Sequence, residues 1–333
     1  MNAKIFSAII GLVGIGFVGG YAVRNMWSGP DAASDRGAEE ETSKQIRQIG
    51  DYRFINPLLE CEVSQGKIDA RKENFRELLD QEVGRIKDEY QLNEVAVYFR
   101  DLNNGPTFGI DESGEFFPAS LLKVPVMMAY YRWAEEETDL LERRVVYEKP
   151  ADFGVSVFIK PRIELVPGEE YSVSQLIEYM ILYSDNQALY LLAQRLPQER
   201  MIDLLRIIGI EDDVVKDRMA KLTVKEYAGL FRILFNGSYL SRDNSEKALG
   251  LLSRTDYHDA LPGKLPQGTV VSHKFGEAGT GSTERQLHDC GIVYFPDHPY
   301  LACIMTRGRD AEKLKLGIQD ISRFIYDRVD EQY

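Results

Sequence analysis

The chain has 333 residues, of which 44% are hydrophobic and 28% are charged. This composition excludes a wholly disordered protein, and the length is sufficient for one large or two modest domains with a buried core. The 40 Lys and Arg residues are outnumbered by 53 Asp and Glu residues, giving a net charge of −13. Because nucleic-acid phosphates are bound by clustered cations, this balance excludes nucleic acid as a partner.

An uncharged apolar segment runs from Ile5 to Val23. Its length can span a bilayer, and the acid-rich stretch that follows it favours export of the remainder of the chain. We therefore predict a signal anchor over residues 1–24, which makes the protein single-pass in the cell membrane with an extracytoplasmic catalytic domain. A cleaved signal peptide is the alternative, and it would give a secreted protein.

Small and acidic residues dominate the next stretch and predict a solvated linker over residues 25–66. From residue 67 to residue 333 the sequence has the apolar periodicities of helices and strands, and the globular domain is predicted there. The apolar residues Phe75 to Tyr90 indicate a helix, and Val95 to Phe99 alternate as a strand.

Helices are predicted over 120–136, 173–196 and 223–235, followed by strands at 290–295 and 300–306 and a last amphipathic helix from Leu314 to Val329. This order predicts an α+β fold, in which both chain ends build an antiparallel sheet and a helical block is inserted between them. Cys61, Cys290 and Cys303 have no CxxC spacing, so we predict buried structural thiols. The four histidines show no ligand spacing, and neither a metal nor another cofactor is predicted.

The first motif that can carry chemistry is Ser120-Leu121-Leu122-Lys123, at a predicted helix start. Three residues apart on a helix, the Ser120 hydroxyl and the Lys123 amine share a face. A serine is a weak nucleophile until a base takes its proton, and a lysine is a base when burial keeps it neutral. The pattern alone is common, and Ser64 to Lys67 is a second example in this chain.

Two further motifs follow. Ser184-Asp185-Asn186 is a rarer string, which by itself predicts a polar turn, and Lys274-Phe275-Gly276 precedes the first C-terminal strand. The order SxxK, SDN and KxG, with spacings of roughly 60 and 90 residues, resembles the penicillin-recognising serine hydrolases. Within that group the chain is most similar to the class A β-lactamase branch, also in the segments 95–103, 117–124, 171–186 and 288–308.

The resemblance implies a β-lactamase/D,D-peptidase-like fold, an antiparallel sheet flanked by helices plus an all-helical subdomain, with the active site between the two parts. It implies that Ser120 is the acylated nucleophile, Lys123 its base, Ser184 a proton relay and Lys274 an electrostatic support. Asn186 would bind the amide of the acyl group. The backbone N–H of Glu277, with that of Ser120, would form the oxyanion hole, which Gly276 keeps open.

Two departures from the family pattern stand out. Phe275 occupies the place of a Thr or Ser whose hydroxyl binds the substrate carboxylate; Ser184, Thr280, Ser282 and Arg285 are the candidate replacements. The ExxLN string that supplies the deacylating glutamate is missing from its expected place, where the acids are Glu211, Asp212, Asp213 and Asp217. Slow hydrolysis of the acyl-enzyme is therefore expected.

The sequence thus predicts an exported, membrane-anchored serine hydrolase that acts through an acyl-enzyme on β-lactams or on D-Ala-D-Ala-type peptides. The alternative is a catalytically inactive module of the same fold that binds a cell-wall peptide or a partner protein. Retention of Ser120, Lys123, Ser184, Asn186 and Lys274 disfavours that alternative, because a binding module has no need of all five.

Overall fold

The computed structural model describes residues 41–47, 52–65, 70–103, 106–151, 158–208, 221–280 and 284–332. The predicted membrane anchor, residues 1–24, lies outside these ranges. Within these ranges no helix is both long enough and apolar enough to cross a membrane.

The strands are β1 (Glu41–Arg47), β2 (Leu58–Gln65), β3 (Glu94–Asp101), β4 (Thr107–Ile110), β5 (Glu115–Phe116), β6 (Arg144–Val146), β7 (Glu170–Ser172), β8 (Leu222–Thr223), β9 (Val271–Thr280), β10 (Glu284–Val293) and β11 (Tyr300–Gly308). The helices are α1 (Ala70–Tyr90), α2 (Lys123–Ala134), α3 (Val173–Leu182), α4 (Asn186–Ala193), α5 (Gln198–Ile207), α6 (Val224–Phe235), α7 (Arg242–Leu252) and α8 (Ala311–Gln332). A short 3₁₀ helix, Ala119–Leu122, leads directly into α2.

The main sheet has five antiparallel strands in the order β4-β3-β11-β10-β9. The two terminal helices, α1 and α8, pack against each other and against the sheet. Their apolar stripes, which include Phe75 and Leu79 of α1 and Ile318 and Ile325 of α8, are fully buried in one core. This arrangement confirms the predicted α+β fold with a sheet assembled from both chain ends, and it leaves β9 as an edge strand.

The helical block forms a second core around α2. Almost every side chain of α2 is buried, because α3, α4, α5 and α7 pack around it. Helix α6 joins the two halves: it contacts β3, β10 and β11, while Phe231 and Leu234 contribute to the core of the helical block. The two halves meet where β9 contacts the short 3₁₀ helix at the start of α2.

The predicted continuous helix over 173–196 is wrong, because it is interrupted between α3 and α4. Ser184 adopts a left-handed conformation, with φ of 56°, and Asp185 caps α4 by accepting a hydrogen bond from the N–H of Ala188 at 2.7 Å. The interruption coincides with the SDN string, so Ser184 belongs to neither helix.

The packed part of the chain begins before residue 67, inside the predicted linker. Strands β1 and β2 pair with each other, and Ile55 is only 5% exposed. The backbone N–H groups of Arg53, Phe54 and Ile55 all donate to the carboxylate of Glu246 on α7. These charge-assisted hydrogen bonds, together with the packing of Phe54 and Ile55 on the core, hold the segment on the domain.

The prediction of free buried thiols is wrong for two of the three cysteines. Cys290 of β10 and Cys303 of β11 lie directly opposite each other and form a disulfide. Sequence spacing could not reveal this pair, because it depends on the register of two neighbouring strands.

Candidate active site

Ser120 is held in place by contacts on both sides of its short helix. Phe117, three residues earlier, donates its N–H to the side-chain oxygen of Gln286 on β10 at 3.1 Å. The hydroxyl of Tyr227 on α6 donates to the carbonyl of Leu121 at 3.0 Å. Ser120 is thus fixed between the sheet and α6, in the short 3₁₀ helix that precedes α2.

Lys123 is fully buried and its amine is the centre of the site. Its Nζ atom lies 2.9 Å from Ser120 Oγ, 3.0 Å from Ser184 Oγ, 2.6 Å from the Ser184 carbonyl oxygen and 2.8 Å from Asn186 Oδ1. The motifs SxxK and SDN, about 60 residues apart in sequence, therefore meet at this one nitrogen.

This arrangement suits a neutral amine. The carbonyl of Ser184 and Oδ1 of Asn186 can only accept, so they take two N–H donors, and the lone pair is left to face a hydroxyl. Burial lowers the pKa of Lys123 to about 7, against the opposing influence of Asp185 and Glu277. Lys123 can therefore take the Ser120 proton at neutral pH.

Lys274 approaches the same serine from β9. Its Nζ atom lies 2.9 Å from Ser184 Oγ and 3.1 Å from the carbonyl oxygen of Phe275. Burial, followed by the nearby Lys123, holds the pKa of Lys274 well below its ordinary value. The Ser184 hydroxyl thus links two amines, and this is the geometry that a proton relay requires.

Gly276 allows the edge of β9 to lie against the helix that carries Ser120. A Cβ atom at this position would come within 2.8 Å of the carbonyl oxygen of Pro118 and within 3.1 Å of the backbone nitrogen of Leu121. Only glycine fits without a shift of the backbone, because such distances are far below ordinary contact. Gly276 thus lets β9, and with it the backbone of Glu277, lie next to the helix that carries Ser120.

The side chain of Glu277 binds the backbone of Phe158 and Ile159, a contact that was not predicted from the sequence. It is 8% exposed, and its two oxygens accept the N–H groups of Phe158 and Ile159 at 3.0 and 2.8 Å. Burial raises the pKa of Glu277, while these hydrogen bonds and the two lysines of the site oppose the rise. In the sequence, the only indication of this contact is that an acid, Glu277, directly follows the KxG triplet.

Of the other residues proposed to bind the substrate carboxylate or to activate water, most lie outside the described residues. Arg285 lies at the start of β10, where its guanidinium is 5.2 Å from the centre of the Phe158 ring. Ser282 and the acidic residues Glu211, Asp212, Asp213 and Asp217 lie outside the described residues, as does the side chain of Thr280. In the part of the chain that the structure covers, no group of His, Cys, Asp or Glu side chains is placed to hold a metal ion.

The family model described as the beta-lactamase enzyme family matches residues 77–329, which include all three motifs. The chain belongs to this family. The family assignment and the fold that were predicted from the motifs are both confirmed.

Individual relatives are distant. The extended-spectrum beta-lactamase PER-1 of Pseudomonas aeruginosa is 28% identical over 167 residues, which are 44% of this chain and 54% of that enzyme. The match therefore spans about half the length of this curated relative. Among solved structures, PBP-A has a TM-score of 0.63 at 21% identity, covering 76% of this chain and 96% of that one. The TLA-3 extended-spectrum beta-lactamase has a TM-score of 0.66 at 16% identity, covering 76% and 98%.

A beta-lactamase from Chitinophaga pinensis is similar to the same extent, with a TM-score of 0.64 at 19% identity over 77% of this chain and 99% of that chain. At such identities the likeness establishes the shared fold, and the activity has to be argued from the site itself.

Proposed function

We propose that the protein is a serine acyl hydrolase that works through an acyl-enzyme on Ser120. The observation that carries the proposal is the buried Lys123 amine, which contacts the Ser120 hydroxyl and both residues of the SDN string that a substrate would meet. Asn186 presents its carbonyl to Lys123, which leaves its NH₂ group to donate to the carbonyl of an acyl side chain.

In the acylation step, Ser120 Oγ attacks the carbonyl carbon of an amide or ester, and its proton passes to the neutral Lys123. The oxyanion is stabilised by the N–H groups of Ser120 and Glu277. As the carbonyl carbon separates from its leaving nitrogen or oxygen, the Ser184 hydroxyl gives that atom a proton and is reprotonated from the lysine pair.

Deacylation needs a water and a base on the exposed face of the ester. The acids that the structure places nearest the motifs, Asp185 and Glu277, both accept backbone N–H groups. Both are thus committed to holding backbone, so the acyl-enzyme is expected to hydrolyse slowly.

The substrate classes that the family suggests are β-lactams and D-Ala-D-Ala-type peptides. One structural neighbour is a PBP-A mutant described as an acyl-enzyme complex with penicillin G, at 22% identity and a TM-score of 0.62. That chemistry on the same fold supports acyl transfer to Ser120. Phe275, in place of the usual hydroxyl residue, is the observation that favours the alternative of an inactive module that binds a cell-wall peptide or a partner protein.

Mass spectrometry of the intact protein distinguishes these functions. The protein is incubated with benzylpenicillin and, separately, with a thioester of an N-acyl-D-alanine. We expect an added acyl mass in the wild type and in Ser64→Ala, the matched control in the second SxxK string, and none in Ser120→Ala. No adduct with either reagent would support the inactive module.

We also propose export of the domain and anchoring in the cell membrane through the apolar segment from Ile5 to Val23. Membrane fractionation and N-terminal sequencing test this placement. Recovery of the full-length protein in the soluble fraction with its N terminus intact would contradict both the anchor and the cleaved signal.

A further inference from the structure

A short segment, residues 158–165, connects the two halves of the domain, and we call it the bridge. At one end, Phe158 and Ile159 are partly buried against the core between the sheet and the terminal helices. At the other end, Leu165 is 6% exposed and belongs to the core around α2. The bridge therefore crosses from the sheet to the helical block.

A buried carboxylate holds each end of the bridge. Glu277 of β9 accepts the N–H groups of the first two bridge residues at 3.0 and 2.8 Å. Asp185 of the SDN string accepts the N–H of Leu165. Both acids are buried, and both oppose the lowering of the Lys123 pKa, so both lie near its amine. The bridge thus spans the site from the SDN string to the strand that carries the KxG triplet.

The bridge lies on the acyl side of the site. Ser184 and Lys274, which face the leaving group in the proposed function, contact each other at 2.9 Å. Asn186 and the N–H of Glu277, which hold the acyl group in that function, follow them by two and three residues. The bridge ends on Asp185 and Glu277, so an acyl group held between Asn186 and Glu277 lies against it.

The chain that leads to the bridge is fixed on the same side. The side-chain amide of Gln187, the residue after Asn186, donates to the carbonyl of Ala151 at 2.8 Å and accepts its N–H at 2.9 Å. The chain is therefore held beside the SDN string at Ala151, contacts β9 at Phe158 and returns to the SDN string at Leu165.

Glu277 is the main attachment of the bridge to the sheet. Hydrogen bonds to a carboxylate are stronger than neutral ones, and displacing the bridge would leave this carboxylate buried without its donors. The other contacts are exposed: Arg162 pairs with Asp256 at 3.2 Å with 74% of its side chain exposed, and the Arg285 guanidinium lies 5.2 Å from the centre of the Phe158 ring. Such exposed contacts contribute little.

We propose that Glu277 determines the size of the acyl group that the site accepts. Its carboxylate fixes the bridge as a wall of the acyl subsite, so acyl groups that branch next to their amide carbonyl are excluded and slender ones enter. The inference rests on the proposed acyl-enzyme function and narrows its substrate class. The phenylacetyl group of benzylpenicillin, with one methylene between carbonyl and ring, satisfies this size rule.

Three N-acyl-D-alanine thioesters with the same leaving thiol test the size rule. Their N-acyl groups are acetyl, phenylacetyl and diphenylacetyl, which differ only in the number of rings on the carbon next to the amide carbonyl. Release of thiol during the burst gives the acylation rate. In the wild type we expect diphenylacetyl to react at least about tenfold more slowly than the other two, because it has to break the charge-assisted hydrogen bonds of the bridge.

Variants of Glu277 assign the effect to its carboxylate. The readout is the ratio of the diphenylacetyl rate to the phenylacetyl rate within each variant, so that a general loss of rate cancels. Glu277→Ala should raise this ratio severalfold, and Glu277→Gln, which keeps one acceptor oxygen, should raise it less. Glu246→Ala is the matched control, because Glu246 also accepts three backbone N–H groups, from residues 53–55, and it should keep the wild-type ratio.

Hydrogen exchange measures the attachment of the bridge without catalysis. The amides of Phe158 and Ile159 should exchange slowly in the wild type and at least about tenfold faster in Glu277→Ala, because they lose their acceptor. The same amides should exchange at the wild-type rate in Glu246→Ala.

The outcomes separate the size rule from the proposed function. Equal rates for diphenylacetyl and phenylacetyl in the wild type overturn the size rule and leave the chemistry of Ser120 intact. A ratio that is unchanged in both Glu277 variants, or that rises equally in Glu246→Ala, also overturns it, as does slow exchange at residues 158 and 159 in Glu277→Ala. Absence of thiol release from all three thioesters refutes the proposed function and the size rule together.

Discussion

The Nζ atom of Lys123 lies 2.9 Å from the hydroxyl oxygen of Ser120. Burial lowers the pKa of the lysine to about 7, so its neutral form, which accepts the serine proton, becomes populated as the pH rises. We expect the acylation rate to increase from pH 5 and to level off above an inflection near 7, as measured by rapid mixing with a thioester of an N-acyl-D-alanine. A rate that is constant from pH 5 to pH 9 would contradict Lys123 as the base.

We expect acylation to depend on the hydroxyl of Ser184 and not on its backbone. Its Oγ atom lies 3.0 Å from Lys123 and 2.9 Å from Lys274, so Ser184→Ala interrupts the proposed relay. We expect acylation to slow by about 10²–10⁴, the usual cost of losing a general acid or base. The matched control is Ser253→Ala, whose hydroxyl donates to the carbonyl of Gly250 and which should leave the rate unchanged.

Gly276→Ala should separate β9 from the helix that carries Ser120. The new methyl group would lie within 2.8 Å of the carbonyl oxygen of Pro118, so the strand has to move. The expected loss in acylation rate is about 10²–10³, the size typical of one oxyanion-hole donor. Gly279→Ala on the same strand is the control, because a Cβ atom there meets nothing within 4 Å, and its rate should match the wild type.

Hydrolysis of the acyl-enzyme should be slower than its formation. Because Asp185 and Glu277 are both engaged by backbone N–H groups, neither carboxylate is available to activate the deacylating water. Rapid mixing with a thioester of an N-acyl-D-alanine should give a burst of released thiol equal to the enzyme concentration and then a phase at least about 10² slower. Steady turnover without a burst would require another base, and Glu211→Gln and Asp213→Asn would then be the next variants to test.

The disulfide gives a prediction that is independent of catalysis. Alkylation of the denatured protein should label two more cysteines after reduction than before it, because Cys290 and Cys303 are joined. The bond closes a loop with a sequence separation of 13, and its loss should lower the free energy of unfolding by about 3 kcal/mol. Equal labelling with and without reduction would contradict the bond.

The sequence was sufficient for the fold class and for the motifs, and it failed where tertiary contacts decide the local structure. The residues 173–196 have a helical pattern throughout, and only the capping by Asp185 and the left-handed Ser184 break it. The packing of the segment at Phe54 and Ile55 was not predicted, because the carboxylate that holds its backbone belongs to Glu246, which is 191 residues from Ile55 in sequence. The meeting of Lys123, Ser184 and Lys274 was implied by a family resemblance, since no periodicity brings three such distant positions together.

Peptide mapping of the protein, quenched during the burst with a thioester of an N-acyl-D-alanine, identifies the residue that is acylated. We expect the acyl group on the peptide that contains Ser120, and on no other peptide in stoichiometric amount. An acyl group on a different residue, such as Ser64 or Ser184, would contradict Ser120 as the nucleophile and with it the role assigned to Lys123.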